Sequence, residues 1–133
     1  MSRKLAAMAV VAALSLAAPS AGGAQGAGPE MVSVELSSFA FSPNALTFQH
    51  GRTYRLHLVN TSGGGHDFTA PEFFAASQIA PADRARIADG KVKLAGKQSV
   101  DITLTPQKPG TYALHCSHFL HAGMGMKGAI TVE

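Results

Sequence analysis

The segment His115-Cys116-Ser117-His118-Phe119-Leu120-His121-Ala122-Gly123-Met124-Gly125-Met126 gathers one thiol, three imidazoles and two thioethers. Cys116, His121 and Met126 follow one another at intervals of five. Thiolate, imidazole and thioether are the soft-to-borderline donors that suit copper, above all as Cu(I). A blue-copper site needs two histidines and one cysteine in a trigonal plane with a weak axial methionine, and three of those four positions are available here. A loop of this kind between two strands can wrap one ion, because the sheet fixes both its ends. The second histidine must come from elsewhere, and His66 is the candidate. It follows Thr61-Ser62-Gly63-Gly64-Gly65, and glycine lets the backbone approach a site closely. Asp67, beside it, is placed to orient the loop by hydrogen bonding. Met124 and Met126 compete for the axial position. His115, directly before Cys116, faces the opposite way in an extended strand and reads as a surface or interface histidine. His118 reads as an exposed loop residue that affects docking or copper loading, His50 as a turn residue and His57 as a solvent-facing strand residue.

Other chemistries fit less well. Cys116 is the only cysteine, so it cannot enter an intramolecular disulfide, and a thiol in an oxidising compartment is either buried or bound to metal. A cysteine nucleophile with a histidine base leaves the methionine spacing unexplained. Zinc binds cysteine and histidine well, but thioether ligation favours copper. Gly63-Gly64-Gly65 lacks the lysine and helix of a phosphate-binding loop.

The elements that must position these groups start after an export signal. Ser2-Arg3-Lys4 is basic, Leu5 to Ala18 is uncharged and apolar, and Pro19-Ser20 leads into small residues. These are the three parts of a secretory signal, with Ala24 a suitable cleavage point. The apolar run is shorter than the roughly 20 residues that span a bilayer. The expected organisation is therefore a signal peptide at 1–24, a Gly/Ala-rich lead-in at 25–30 and one domain at 31–133. That predicts a periplasmic or otherwise exported protein without stable membrane insertion after cleavage. The formal charge of +3 falls to about +1 once Arg3 and Lys4 leave. No Lys/Arg cluster with interleaved aromatics remains to bind nucleic acid.

Within the domain, Val32, Val34 and Leu36 alternate with polar residues, as do Tyr54, Leu56 and Leu58, and Val100, Ile102 and Leu104. Such period-two patterns predict half-buried strands. Leu46 to Phe48, Lys91 to Leu94, Thr111 to Cys116 and Gly128 to Val132 are further strands, and Ser42-Pro43-Asn44, His50-Gly51 and Pro106 to Gly110 are turns. Glu72 to Ala76 predicts a helical turn and Asp83 to Ala88 a short helix between Pro81 and Gly90. Many short strands with Gly/Pro turns point to an all-β antiparallel sandwich or barrel.

Asn60, His66-Asp67-Phe68, Gly110-Thr111-Tyr112-Ala113-Leu114-His115-Cys116, His121 and Gly125-Met126-Lys127-Gly128 resemble the cupredoxins, the small blue copper proteins. The resemblance covers most of Val32 to Glu133. It implies a Greek-key β-sandwich with one short helix in the 71–90 region, and one type 1 copper per chain that shuttles single electrons. Carried over position by position, the ligands are His66, Cys116, His121 and Met126. The interval of five after His121, followed by Lys127-Gly128, matches the mononuclear family and favours Met126 over Met124. The shorter interval resembles the binuclear copper domain of terminal oxidases, which needs a second cysteine. Phe119-Leu120 stands where many cupredoxins have Pro-Gly. The resemblance implies a monomeric electron carrier rather than an enzyme. Redox partner proteins would dock transiently near His121, on an apolar rim of Phe119, Leu120, Ala122 and Met124 with little electrostatic steering. Copper delivery or resistance is the second reading. An enzyme with His115 on a second copper at a subunit interface is the third.

Overall fold

A computed structural model describes residues 28–118 and 126–133; the predicted signal, His121 and Met124 lie outside the described residues. Alternating burial organises the domain. In Tyr54–Asn60 every second side chain is buried, beginning with Tyr54, and in Ser99–Pro106 the same holds from Val100. A strand with one apolar face must lay that face on a second sheet.

In chain order the strands are β1 (Glu30–Ser37), β2 (Ala40–Ser42), β3 (Ala45–Phe48), β4 (Tyr54–Asn60), β5 (His66–Thr69), β6 (Ser77–Ile79), β7 (Lys91–Leu94), β8 (Ser99–Pro106), β9 (Gly110–His115) and β10 (Lys127–Val132). They form two five-stranded sheets, ordered β2-β1-β4-β8-β6 and β3-β10-β9-β5-β7. The fold is the expected all-β sandwich. The sheets are mixed rather than purely antiparallel, because β1 pairs with β4, and β3 with β10, in parallel register.

Val34, Leu36, Leu56, Leu58, Ile102 and Leu104 from the first sheet meet Phe48, Phe68, Leu94, Leu114 and Ile130 from the second, each at most 1% exposed. Burying one such side chain stabilises the fold by about 1.5–3 kcal/mol. The 71–90 region holds one short α-helix and one 3₁₀ helix, close to the helical turn and short helix expected there. The α-helix α1 (Pro71–Ala75) inserts Phe73 and Phe74 into the core, where Phe73 stacks on Phe48 at 5.2 Å between centroids. A 3₁₀ helix follows at Pro81–Arg86 with no buried residue, which is why no apolar periodicity marked it. Between the two lies β6, an edge strand.

Candidate metal centre

The second sheet carries the site at one end. Strand β9 delivers Cys116 just past its last residue, β5 begins at His66, and β10 begins directly after Met126. Antiparallel pairing sets Lys127 against His115 and Thr69 against His115. This places Cys116 and Met126 together, and the Cys116 amide donates to the Met126 carbonyl at 3.1 Å. That bond closes the loop between them at its base. Met126 is fully buried, and Cys116 and His66 are 1% and 5% exposed.

His66 reaches this end because the bend before it is rigidly held. Asn60, fully buried at the end of β4, donates to the carbonyls of Gly64 at 2.8 Å and Ala95 at 3.0 Å. Its side-chain oxygen accepts from the Ser62 amide at 3.0 Å and the Ser62 hydroxyl at 2.7 Å. One side chain thus ties the 61–65 bend to the 95–98 turn. The two backbones lie so close that a Cβ on Gly96 would fall 2.3 Å from the Gly63 carbonyl oxygen. Gly96 is the glycine this close approach requires, whereas a Cβ on Gly63 or Gly64, named in the sequence, would meet nothing within 4 Å.

The Cys116 sulfur lies 4.0 Å from His66 Nδ1, although the two residues are fifty positions apart. The backbone amides of Asp67 and His118 both donate to that sulfur. Burial raises the thiol above its ordinary value near 9.0, and the nearby Asp67 charge adds to this, while the two amides act in the opposite direction. A sulfur held in this way favours its thiolate form once a cation is beside it.

Asp67 does more than sequence reasoning expected. One carboxylate oxygen accepts from the Ser117 amide at 2.8 Å and from the Thr69 hydroxyl at 2.5 Å; the other accepts from the Ser117 hydroxyl at 2.5 Å. Burial opposes the ionised form, yet the hydrogen bonds from Ser117 and Thr69, with the charge of His118, hold the carboxyl below its ordinary value of 3.8. His118 is not merely an exposed loop residue. Its side chain is 41% exposed, and Nε2 lies 3.7 Å from the Asp67 carboxylate. Its ring is 6.2 Å from that of His66. Asp67, Cys116 and His118 bring one donor atom each within 4.8 Å of one another. A cavity of about 370 Å³ lies against His66 and His118 and is flanked by Phe39 and Ser62. His115 is half-buried on β9, Nδ1 of His50 is 2.7 Å from the Glu133 carbonyl oxygen, and His57 pairs with Asp101 on the opposite sheet. His121 lies outside the described residues.

A β-sandwich with a buried thiol, imidazole and thioether at one end is the framework of a small metalloprotein. The profile of the cupredoxin-like domain matches residues 5–132, and the chain belongs to that family. No curated protein sequence is significantly similar to it. Among solved structures it is similar to a dithionite-reduced auracyanin from the photosynthetic bacterium Roseiflexus castenholzii, with 26% identity, a TM-score of 0.59, and 80% of this chain and 99% of that one covered. It is also similar in fold to auracyanin B, at 24% identity, a TM-score of 0.57 and 78% and 88% coverage. A third similar fold is auracyanin A, a "blue" copper protein of the green thermophilic bacterium Chloroflexus aurantiacus, at 20% identity, a TM-score of 0.56 and 80% and 100% coverage.

Copper, one ion per chain, is the metal of this family, and the donor set fits it. Metal–sulfur and metal–nitrogen bonds run at roughly 2.3 and 2.0 Å, so one ion bonded to both can span 4.0 Å between sulfur and ring nitrogen. The thioether of buried Met126 is a soft donor that zinc or magnesium sites rarely use.

Proposed function

We propose that this chain is an exported one-electron carrier whose copper is held by His66, Cys116, His121 and Met126, with no catalytic residue of its own. The observation that carries the reading is the buried approach of the Cys116 sulfur to His66 Nδ1 at 4.0 Å. Strand pairing and the Asn60 bend bring the two groups together. Such a framework keeps its donors in place in both oxidation states, which is what repeated electron transfer requires. The similar auracyanin A is a "blue" copper protein, and dithionite reduction is the condition of the Roseiflexus auracyanin. Bound copper would supply the electron. The chain's own groups exclude water, fix the sulfur with two amides and leave an apolar loop around His121 for transient contact with redox partners. The segment 1–24 serves as the export signal, and the carrier works as a monomer in the periplasm or an equivalent compartment.

The test is to replace His66, Cys116, His121, Met126 and Met124 one at a time and measure copper affinity and the visible spectrum. Loss or strong alteration is expected at the first four and little change at Met124. If the Met124 substitution alone alters the spectrum while Met126→Leu does not, the axial assignment is wrong.

A second reading, copper delivery, is favoured by the half-exposed His118 beside Asp67 and Cys116. These groups offer a solvent-facing set of donors next to the buried one. Copper exchange separates the readings: a carrier retains its metal through redox cycling, whereas a delivery protein passes it to a copper-free acceptor.

A further inference from the structure

Charge is divided between the two sheets. The strands β1, β2, β4, β6 and β8 hold Glu30, Glu35 and Asp101 against a single Arg55. The strands β3, β5, β7, β9 and β10 hold Lys91, Lys93 and Lys127 against Asp67 alone, and Asp67 is buried and bonded to Ser117 and Thr69. The sequence does not show this division, because Lys127 lies more than thirty residues from Lys91 and Lys93.

Register gathers the lysines on one outer face. Directly paired residues point to the same side of a sheet. Lys127 pairs with His115, His115 with Thr69, Thr69 with Lys91, and Asp67 with Lys93. The inward positions next to them, Leu114, Val92 and Phe68, are in the core. His115 therefore has Lys127 as its direct neighbour on one side and, across Thr69, Lys91 on the other, with Lys93 two residues further along β7. It is half-buried and one peptide link from Cys116. The Lys91 ammonium also donates to the Ser117 hydroxyl at 3.2 Å, and that hydroxyl bonds Asp67. Lysines often protect the open edge of a sheet, which accounts for β7. It does not account for Lys127, because β10 lies inside the sheet between β3 and β9.

We infer that the outer face of β7, β9 and β10 around His115, lying on either side of the buried β5 residues Asp67 and Thr69, is a docking surface for an acidic redox protein, with His115 as the point of electron passage. This rests on the electron-carrier reading. It adds a second, charged face to the apolar loop around His121. Charge complementarity of this kind chiefly raises association rates and fades as salt screens it.

The experiment uses the copper-loaded, reduced full domain and stopped-flow oxidation by two small probes. Each protein molecule gives one electron: anionic hexacyanoferrate(III) becomes hexacyanoferrate(II), and cationic tris(phenanthroline)cobalt(III) becomes cobalt(II), with no proton transferred. Lys93→Glu is compared with Arg55→Glu, which changes net charge equally on the opposite sheet, and with the triple variant K91E/K93E/K127E. At low ionic strength the triple variant is expected to slow hexacyanoferrate by about ten-fold or more, and Lys93→Glu by several-fold. Arg55→Glu should have a much smaller effect, and cobalt oxidation should not slow in any variant. The differences should shrink near 0.15 M salt, where the Debye length is about 8 Å. Equal effects of Lys93→Glu and Arg55→Glu, or none in the triple variant, would overturn the docking surface while leaving the carrier intact. A wild-type protein that exchanges electrons with neither probe would overturn the carrier reading and this surface with it.

Discussion

Asp67 and Ser117, fifty positions apart, are joined twice: the Ser117 amide and hydroxyl each donate to a different oxygen of the same carboxylate, at 2.8 and 2.5 Å. This pair ties the residue after His66 to the residue after Cys116, so the two candidate ligands are held by one clamp. Ser117→Ala removes the hydroxyl bond and keeps the amide bond. Hydrogen bonds to charged groups are worth about 1.5–3 kcal/mol, so the metal-free protein should lose stability in that range, measured by urea unfolding. An unchanged midpoint would show that the hydroxyl bond carries no net weight.

The same carboxylate gives the fold a defined acid response. A carboxyl lowered on folding contributes stability that is present above its unfolded value, near 3.8 here, and is lost as pH falls through the folded value. The metal-free wild type should therefore lose stability more steeply than Asp67→Asn on acidification below about pH 4. Parallel pH curves for the two proteins would contradict the assignment.

Asn60 should matter beyond its size. Asn60→Ala removes the partners of Gly64, Ala95 and Ser62 at once, and each lost part-buried hydrogen bond contributes about 0.5–1.5 kcal/mol. A loss of about 2–4 kcal/mol is expected, together with at least ten-fold weaker copper binding, because His66 loses its fixed bend. Retained affinity in a destabilised variant would mean that β7 pairing alone positions His66.

Gly128 lies where β10 passes the turn before β3. A Cβ there would sit 2.2 Å from the Asn44 carbonyl oxygen, which also accepts the Ala129 amide at 2.9 Å. Gly128→Ala must push β10 away from that turn, two residues after Met126. A cost of more than about 2 kcal/mol is expected from overpacking against fixed backbone, with a shifted visible spectrum in the copper-loaded protein. A stable variant with an unaltered spectrum would show that Met126 is positioned independently of β10.

Much of this was legible in the sequence, for identifiable reasons. The strands β1, β4 and β8 are half-buried, so their alternation marks them directly. The strand β5 shows no alternation, since all four of its residues are buried, and β2 and β6 are three-residue edges with too few positions to set a period. Parallel pairing of β1 with β4 depends on how the sheets assemble and leaves no local trace. At the site, the intervals from Cys116 to His121 to Met126 and the glycine bend before His66 pointed to metal chemistry. The clamp between Asp67 and Ser117 and the approach of His118 to Asp67 arise from contacts across fifty residues, which adjacency to a ligand only hints at. The lysines around His115 become neighbours solely through sheet register.

The most direct measurement is the visible and electron paramagnetic resonance spectrum of the oxidised, copper-loaded protein. Intense visible absorption from thiolate-to-copper charge transfer is expected, bleached by one electron per chain and absent in Cys116→Ser. Intact protein that holds oxidised copper without this band would contradict a type 1 centre built on Cys116.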